Sequence, residues 1–136
     1  MNPKSVLQVR DLVKYHDSPR GCVHAVDHVD LELFEGETLG LVGESGCGKS
    51  TLGRTIIRLH EPTSGEIFFG DRDIATLTRA ELKDVRRDLQ IVFQDPFASL
   101  NPRRTIRQIL AEPFSVHKVG KASERDQLVS NLISRV

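Results

Sequence analysis

The chain has 136 residues, one domain's worth on ordinary sizing, which leaves no room for a second independent core and rules out a multidomain enzyme at this length. Lysine and arginine total 19 and aspartate and glutamate also 19, so the formal charge is zero, and no general pull toward nucleic acid or anionic lipid follows. At 38% hydrophobic and 28% charged residues the composition fits a globular domain, not a disordered or collagen-like segment.

In chain order, Val6 to Val9 and Val23 to Leu33 read as strands that pair with each other. The second shows alternation, with Val29, Leu31 and Leu33 between Asp30 and Glu32. Between them Asp17, Ser18, Pro19, Arg20 and Gly21 supply turn chemistry. Glu35, Gly36 and Glu37 make a second turn before Leu39 to Val42, a short apolar run without alternation. Such a run predicts a strand buried on both faces, as in a parallel sheet. From Lys49 to His60, Leu52, Ile56 and Leu59 fall at helical spacing, and Pro62 closes the pattern.

Further on, Gly65 to Phe69 reads as a strand, Arg79 to Arg87 as a polar helix and Leu89 to Phe93 as another strand. Pro96, Asn101 and Pro102 mark a loop. The helix over Thr105 to Glu112 is predicted to stop before Pro113, since a residue preceding proline is disfavoured in the α region. Ser123 with Asp126 makes a capping box for a last helix whose apolar stripe is Leu128, Val129, Leu132, Ile133 and Val136. That stripe reaches the final residue with no glycine or asparagine cap, and truncation is the expectation. Cys22 and Cys47 lie far apart without metal-ligand spacing, and Met1 to Arg10 lacks a secretory apolar core, which points to a reducing, cytoplasmic compartment.

The segment that carries chemistry is Gly43-Glu44-Ser45-Gly46-Cys47-Gly48-Lys49-Ser50, which fits G-x-x-x-x-G-K-[ST] between a predicted buried strand and a predicted helix. Gly43, Gly46 and Gly48 permit backbone angles and close approach that a Cβ blocks, so consecutive N–H groups can converge on an anion at a helix N-terminus. Lys49 reaches β- and γ-phosphates as a mobile point charge, the Ser50 hydroxyl ligates Mg²⁺, and Thr51 sits near the α-phosphate. The bland reading is a glycine-rich turn with a solvated lysine. Cys47 reads as a small loop residue, since nothing pairs with it as a base.

Hydrolysis also needs an acidic metal partner at a strand end and a group that orients water. Asp71, after Ile67 to Gly70, and Asp95, after Ile91 to Gln94, are candidates; Asp95 also reads as a turn-forming residue before Pro96.

Three stretches together resemble the ATP-binding subunit of an ABC transporter, of the oligopeptide/dipeptide (peptide/nickel) importer group. They are Gly43 through Arg54, Glu61-Pro62-Thr63-Ser64-Gly65-Glu66, and Ile91-Val92-Phe93-Gln94-Asp95-Pro96. Ser99-Leu100-Asn101-Pro102-Arg103 with Glu112-Pro113 resembles the peptide and nickel subgroup. The resemblance implies an α/β fold with a P-loop NTPase-type core, an N-terminal antiparallel β part and the start of a helical subdomain. It implies ATP and Mg²⁺ as cofactors, and Gln94 as the Q-loop residue that contacts the metal and the attacking water. It implies an aromatic adenine platform upstream of the loop, where register favours His16 and the larger uncharged face favours Tyr15. His24 and His117 read as surface residues.

The implied partners are a second ATP-binding subunit and membrane-spanning permease subunits, with peripheral association at the inner face of the cell membrane. The family's LSGGQ-type motif, acidic strand with catalytic glutamate and switch histidine have no counterpart within these residues. The sequence therefore predicts a partial nucleotide-binding domain over residues 1–136 that binds ATP and hydrolyses it poorly alone. A small P-loop kinase or GTPase, served by Asp71 or Asp95, and a nonfunctional nucleotide-binding remnant are the competing readings. Arg86, Arg87, Arg103, Arg104 and Arg107 form either a solvated face or, by the resemblance, part of the surface that meets the permease.

Overall fold

In the computed structural model, which describes residues 4–19, 21–95, 99–121 and 123–135, the chain divides into two units, Met1–Gln90 and Ile91–Val136. Arg20, Pro96 and Val136, each part of an expectation above, lie outside the described residues.

The first unit is built on a hairpin. Strand β1 (Ser5–Ser18) pairs antiparallel with β2 (Gly21–Phe34); β1 runs well beyond the Val6 to Val9 stretch that announced it, while β2 lies close to the expected Val23 to Leu33. Strand β3 (Ser64–Phe69) pairs antiparallel with the other edge of β1, and the short β4 (Arg72–Asp73) follows, giving the sheet order β2-β1-β3-β4. The length of β1 explains its broken alternation. Its register against β2 shifts between Val9 and Leu12, and Asp11 there has φ 50°. The Asp11 amide donates to Asp30 Oδ1 at 2.8 Å, and His28, also at φ 50°, sets Nδ1 2.5 Å from Asp11 Oδ1. A bulge of this kind re-aims the chain, so Val9 and Leu12 both face the core although three positions apart.

Helix α1 (Lys49–Ile56) and helix α2 (Leu82–Asp88) supply the rest of this core. Leu52 and Ile56 of α1 and Leu82 and Val85 of α2 join Leu7, Val9, Leu12, Val26, Ile67 and Ile74 in one buried cluster, with Val29, Leu31 and Leu33 packed at its margin. Helix α1 is shorter than its periodicity suggests. It ends at Ile56 because Arg58, at φ 55°, turns the chain and drives its guanidinium inward. Arg58 is buried and donates to the carbonyls of Ile74, Ala75 and Leu77 and to the Glu61 carboxylate, while Leu59 is left exposed. A buried cation is tolerable only when most of its donors are met in this way: both terminal nitrogens of Arg58 are bonded, and its Nε is buried without a partner among the described residues.

Two predicted strands are absent. Leu39 to Val42 and Leu89 to Phe93 have no ladder partner among the described residues. Val42 is 94% exposed, where burial was expected, and Val92 is 96% exposed. An apolar run becomes a strand only when another strand takes its N–H and C=O groups, and neither run is paired with any of β1 to β4.

The second unit holds α3 (Ile106–Val116) and α4 (Arg125–Ile133). Thr105 caps α3 through a capping box with Gln108, and the helix passes through Pro113 where a stop was expected. Proline removes one backbone bond, but the turn beyond it is tied down: Pro113 O accepts from the His117 amide, and Ser115 Oγ accepts from Arg125. The capping box expected for α4 is not made. Glu124 is the residue before the helix, with no side-chain cap, and Asp126 pairs with Arg107 at 2.9 Å. Of the described residues of the predicted stripe, Val129 alone is buried; Leu132 and Ile133 are exposed. No described helix is long and apolar enough to cross a membrane.

Candidate phosphate-binding site

Residues 43–48 form the turn that feeds α1, and the helix starts without any of its usual satisfiers. Its N-cap is Gly48, which has no side chain to offer, and its first turn carries no acid. The first helical acceptor bond is Leu52 N to Gly48 O at 2.8 Å, so the amides of Lys49, Ser50 and Thr51 precede the intrahelical ladder. Unmet donors and the positive end of the helix dipole together favour an anion here. Gly46 and Gly48 have φ of 85° and 95°, on either side of Cys47, the alternation that lets successive N–H groups turn to one point. Gly48 is also required by space: a Cβ there would lie 2.1 Å from Ala25 O of β2. The loop is thereby held directly against the sheet.

The Lys49 ammonium folds back over this turn. Nζ donates to Gly43 O at 2.7 Å and to Glu44 O, and lies 3.5 Å from Cys47 Sγ. A cation held by neutral carbonyls can exchange them for phosphate oxygens, whose charge-assisted bonds are stronger. The Cys47 amide donates to Glu44 O at 3.4 Å, which closes the turn, and Ser45 is exposed at its tip. Ser50 is exposed, and its hydroxyl makes no hydrogen bond among the described residues. A free hydroxyl at the helix start suits a hard cation that takes its remaining oxygens from phosphate and water. Among the described residues no group of three His, Cys, Asp or Glu could hold a metal unaided. Thr51 contributes its carbonyl to Thr55 Oγ1–H at 2.8 Å inside the helix.

Beside the loop is a cavity of about 370 Å³ lined by Cys47, Gly48, Lys49 and Leu52 on one side and by His24 and Asp27 of β2 on the other. The two aromatic candidates part company here. Tyr15 stacks on His24, ring centroids 3.8 Å apart and 18° from parallel, and its hydroxyl donates to Asp27 Oδ1. That bond to a carboxylate raises the Tyr15 pKa above its ordinary value, so the hydroxyl stays a donor. His16 instead meets His60 edge-on at 5.7 Å. Burial, with the positive charges of His16, Arg54 and Lys14 nearby, lowers the His60 pKa. His24 and Asp27 escaped the reading by motif, although the register was available: counting back from the Ser18–Gly21 turn pairs Tyr15 with His24.

Gln94 lies in the second unit, exposed, in the irregular stretch that replaces the expected strand. Asp71 is exposed at the turn between β3 and β4. Of the arginines weighed above, Arg86 donates to Arg58 O, Arg104 pairs with Glu112 at 2.6 Å, and Arg107 with Asp126.

A family model described as ABC transporter matches residues 26–136. The oligopeptide transport ATP-binding protein AppF of Bacillus subtilis is 50% identical over 99% of this chain and 44% of its own length. OppF of the same organism is 47% identical over 98% of this chain and 44% of its own. The chain thus spans less than half the length of these curated relatives. Among solved structures, the dimeric post-hydrolysis ATP-binding cassette MJ0796 bound to ADP and Pi superposes with a TM-score of 0.76 at 28% identity, covering 92% of this chain and 54% of that one. CbiO1 from Clostridium perfringens superposes with a TM-score of 0.68 at 26% identity, over 97% of this chain and 50% of that one. The chain therefore belongs to the ABC transporter family and, over the share that it spans, has the fold of the family's ATP-binding cassette.

Proposed function

We propose that this chain carries the phosphate-gripping part of an importer ATPase for oligopeptides. The observation behind this reading is the uncapped start of α1, with Lys49 folded over a turn whose glycines take positive φ. Residues 43–51 hold the triphosphate: amides from Gly43, Glu44, Ser45, Gly46, Cys47 and Gly48 surround it, Lys49 meets its β- and γ-oxygens, and Thr51 sits by the α-phosphate. Ser50 and Gln94 are the residues for Mg²⁺, which when bound neutralises charge on the β- and γ-phosphates. Gln94 also orients the attacking water. The base lies on the Tyr15 side of the hairpin, where the aromatic stack adjoins the loop's cavity, and His16 is directed to His60.

Residues 1–136 serve as a partial nucleotide-binding domain in this reading, carrying P-loop and Q-loop. It works with a second ATP-binding subunit and with permease subunits at the cytoplasmic face of a membrane. The oligopeptide assignment rests on AppF and OppF, named for oligopeptide transport, and these relatives do not favour the kinase or GTPase reading.

Calorimetric titration with Mg-ATP tests the loop. The wild-type chain is expected to bind, and Lys49→Ala to lose at least about tenfold in affinity, since hydrogen bonds to charged groups contribute about 1.5–3 kcal/mol. Equal affinity in the two chains would remove the assignment.

A further inference from the structure

Four basic residues, Lys14, His16, Arg54 and His60, gather where the chain leaves α1, and none of them lines the cavity beside the phosphate loop. Arg54 stands in the last turn of the helix, and its carbonyl accepts from the amides of Leu59, at 2.8 Å, and His60, at 3.1 Å. The segment that follows is tied to β1 at two points: the Thr63 amide donates to Val13 O at 2.8 Å, and the Tyr15 amide to Thr63 Oγ1 at 3.0 Å. Lys14 and His16 stand on either side of Tyr15, and the His16 ring meets the His60 ring edge-on, centroids 5.7 Å apart and planes 89° from parallel. Burial first, then the positive charges of His16, Arg54 and Lys14, hold the His60 pKa down, and no carboxylate acts against them.

The cluster has no acid of its own. The chain balances 19 bases against 19 acids, so the excess is local. Arg10, Arg58, Arg104 and Arg107 each pair with a carboxylate, whereas Lys14 and Arg54 are in no ion pair among the described residues. Glu61, next to His60 in sequence, is taken by Arg58, and Nδ1 of His60 is buried with no hydrogen-bond partner. The negative end of α1 accounts for a cation at Arg54 but not for the other three. Like charges gathered in this way repel one another until an anion joins them.

We propose that Lys14, His16, Arg54 and His60 form a second anion site, separate from the phosphate loop, that takes a phosphate monoester. Such a group carries roughly two negative charges near neutral pH and three acceptor oxygens, enough to be shared among a guanidinium, an ammonium and imidazole N–H groups. A carboxylate, with one charge and two oxygens, meets fewer of them. Binding reverses the balance at His60, where the proton that the neighbouring cations disfavour becomes favoured. The site shares no residue with the loop, so it does not depend on the nucleotide reading. A soluble phosphate and the headgroup of phosphatidic acid offer the same chemistry.

The full chain carrying Lys49→Ala, in which the loop competes less for the ion, is titrated with inorganic phosphate and, at equal ionic strength, with chloride. The ring protons of its five histidines are followed by nuclear magnetic resonance. Phosphate is expected to raise the His60 pKa by about half a pH unit or more and to move His16 with it, leaving His28 and His117 unmoved. Lys14→Gln and Arg54→Gln are each expected to weaken phosphate at least about threefold, as for one ion pair lost near the surface, and Lys14→Arg to retain it. Sedimentation with phosphatidic acid vesicles, against phosphatidylcholine vesicles, separates the sources. Retention on the former that Arg54→Gln abolishes assigns the site to a headgroup, and phosphate binding without retention assigns it to a soluble ligand.

A His60 pKa that chloride raises as far as phosphate does, or that neither moves, would overturn the site. So would Lys14→Gln and Arg54→Gln chains that bind phosphate as tightly as their parent. A phosphate response seen only with Lys49 intact would return the anion to the loop and overturn it as well. The parent titration decides by itself if a glutamine variant fails to fold.

Discussion

Two apolar runs of similar character end differently in this molecule. Ser64–Phe69 is a strand with partners on both edges and Ile67 fully buried, whereas Leu39 to Val42 is extended, unpaired among the described residues and largely exposed. Hydrophobic content does not separate them. What separates them is a neighbouring ladder: β1 offers an edge to β3, held in register by Thr63 N to Val13 O at 2.8 Å, and no described strand pairs with Leu39 to Val42. The consequence for function is that the phosphate loop is anchored from its far side, by α1 and by the Gly48–Ala25 contact, and not by the strand that precedes it.

The contrast can be broken most sharply by truncating one side chain on each run. Ile67→Ala is expected to cost about 2–5 kcal/mol in a urea titration, the range for a buried large-to-small change, and Val42→Ala to stay within about 0.5 kcal/mol. Similar costs at the two sites would mean that Leu39 to Val42 is packed in solution after all.

The anchor beyond α1 comes next in size. Arg58→Ala strands carbonyls of Ile74, Ala75 and Leu77 in the interior and is expected to cost about 1–3 kcal/mol, checked by the same titration. The second unit supplies a smaller effect: Thr105→Ala removes the α3 cap and is expected to lower helicity and stability by about 1 kcal/mol, read by circular dichroism.

The smallest effect is a pH dependence. The hydrogen bond to Asp11, reinforced by its charge, raises the His28 pKa above the ordinary imidazole value. A raised folded-state pKa contributes stability that is complete below the unfolded value and fades as pH climbs through the folded one. The gap in denaturation midpoint between wild type and His28→Gln should therefore be wider at pH 5.5 than at pH 8.5, and a gap independent of pH would show that the bulge does not depend on this pair.

Local chemistry in the sequence was the legible part. The hairpin followed from its turn residues, the loop and α1 from G-x-x-x-x-G-K-[ST], and the β3 strand from its own apolar run. Features decided by a distant partner were not. Leu39 to Val42 carries a desire for burial but no record of what would pair with it, and the Ser123–Asp126 box lost its acid to Arg107, a residue on another helix. Pro113 reads as a stop until Arg125 is seen to hold the turn after it. His24 lay within reach of a register count, yet no motif asks for that count.

The account depends on the amides at the start of α1 receiving phosphate oxygens. Amide chemical shifts followed by nuclear magnetic resonance during titration with Mg-ATP test this directly. The account predicts that the largest changes fall on Gly46, Gly48, Lys49, Ser50 and Thr51 and saturate together. Saturation of the ligand with those amides unmoved, or with the largest changes elsewhere in the chain, would contradict it.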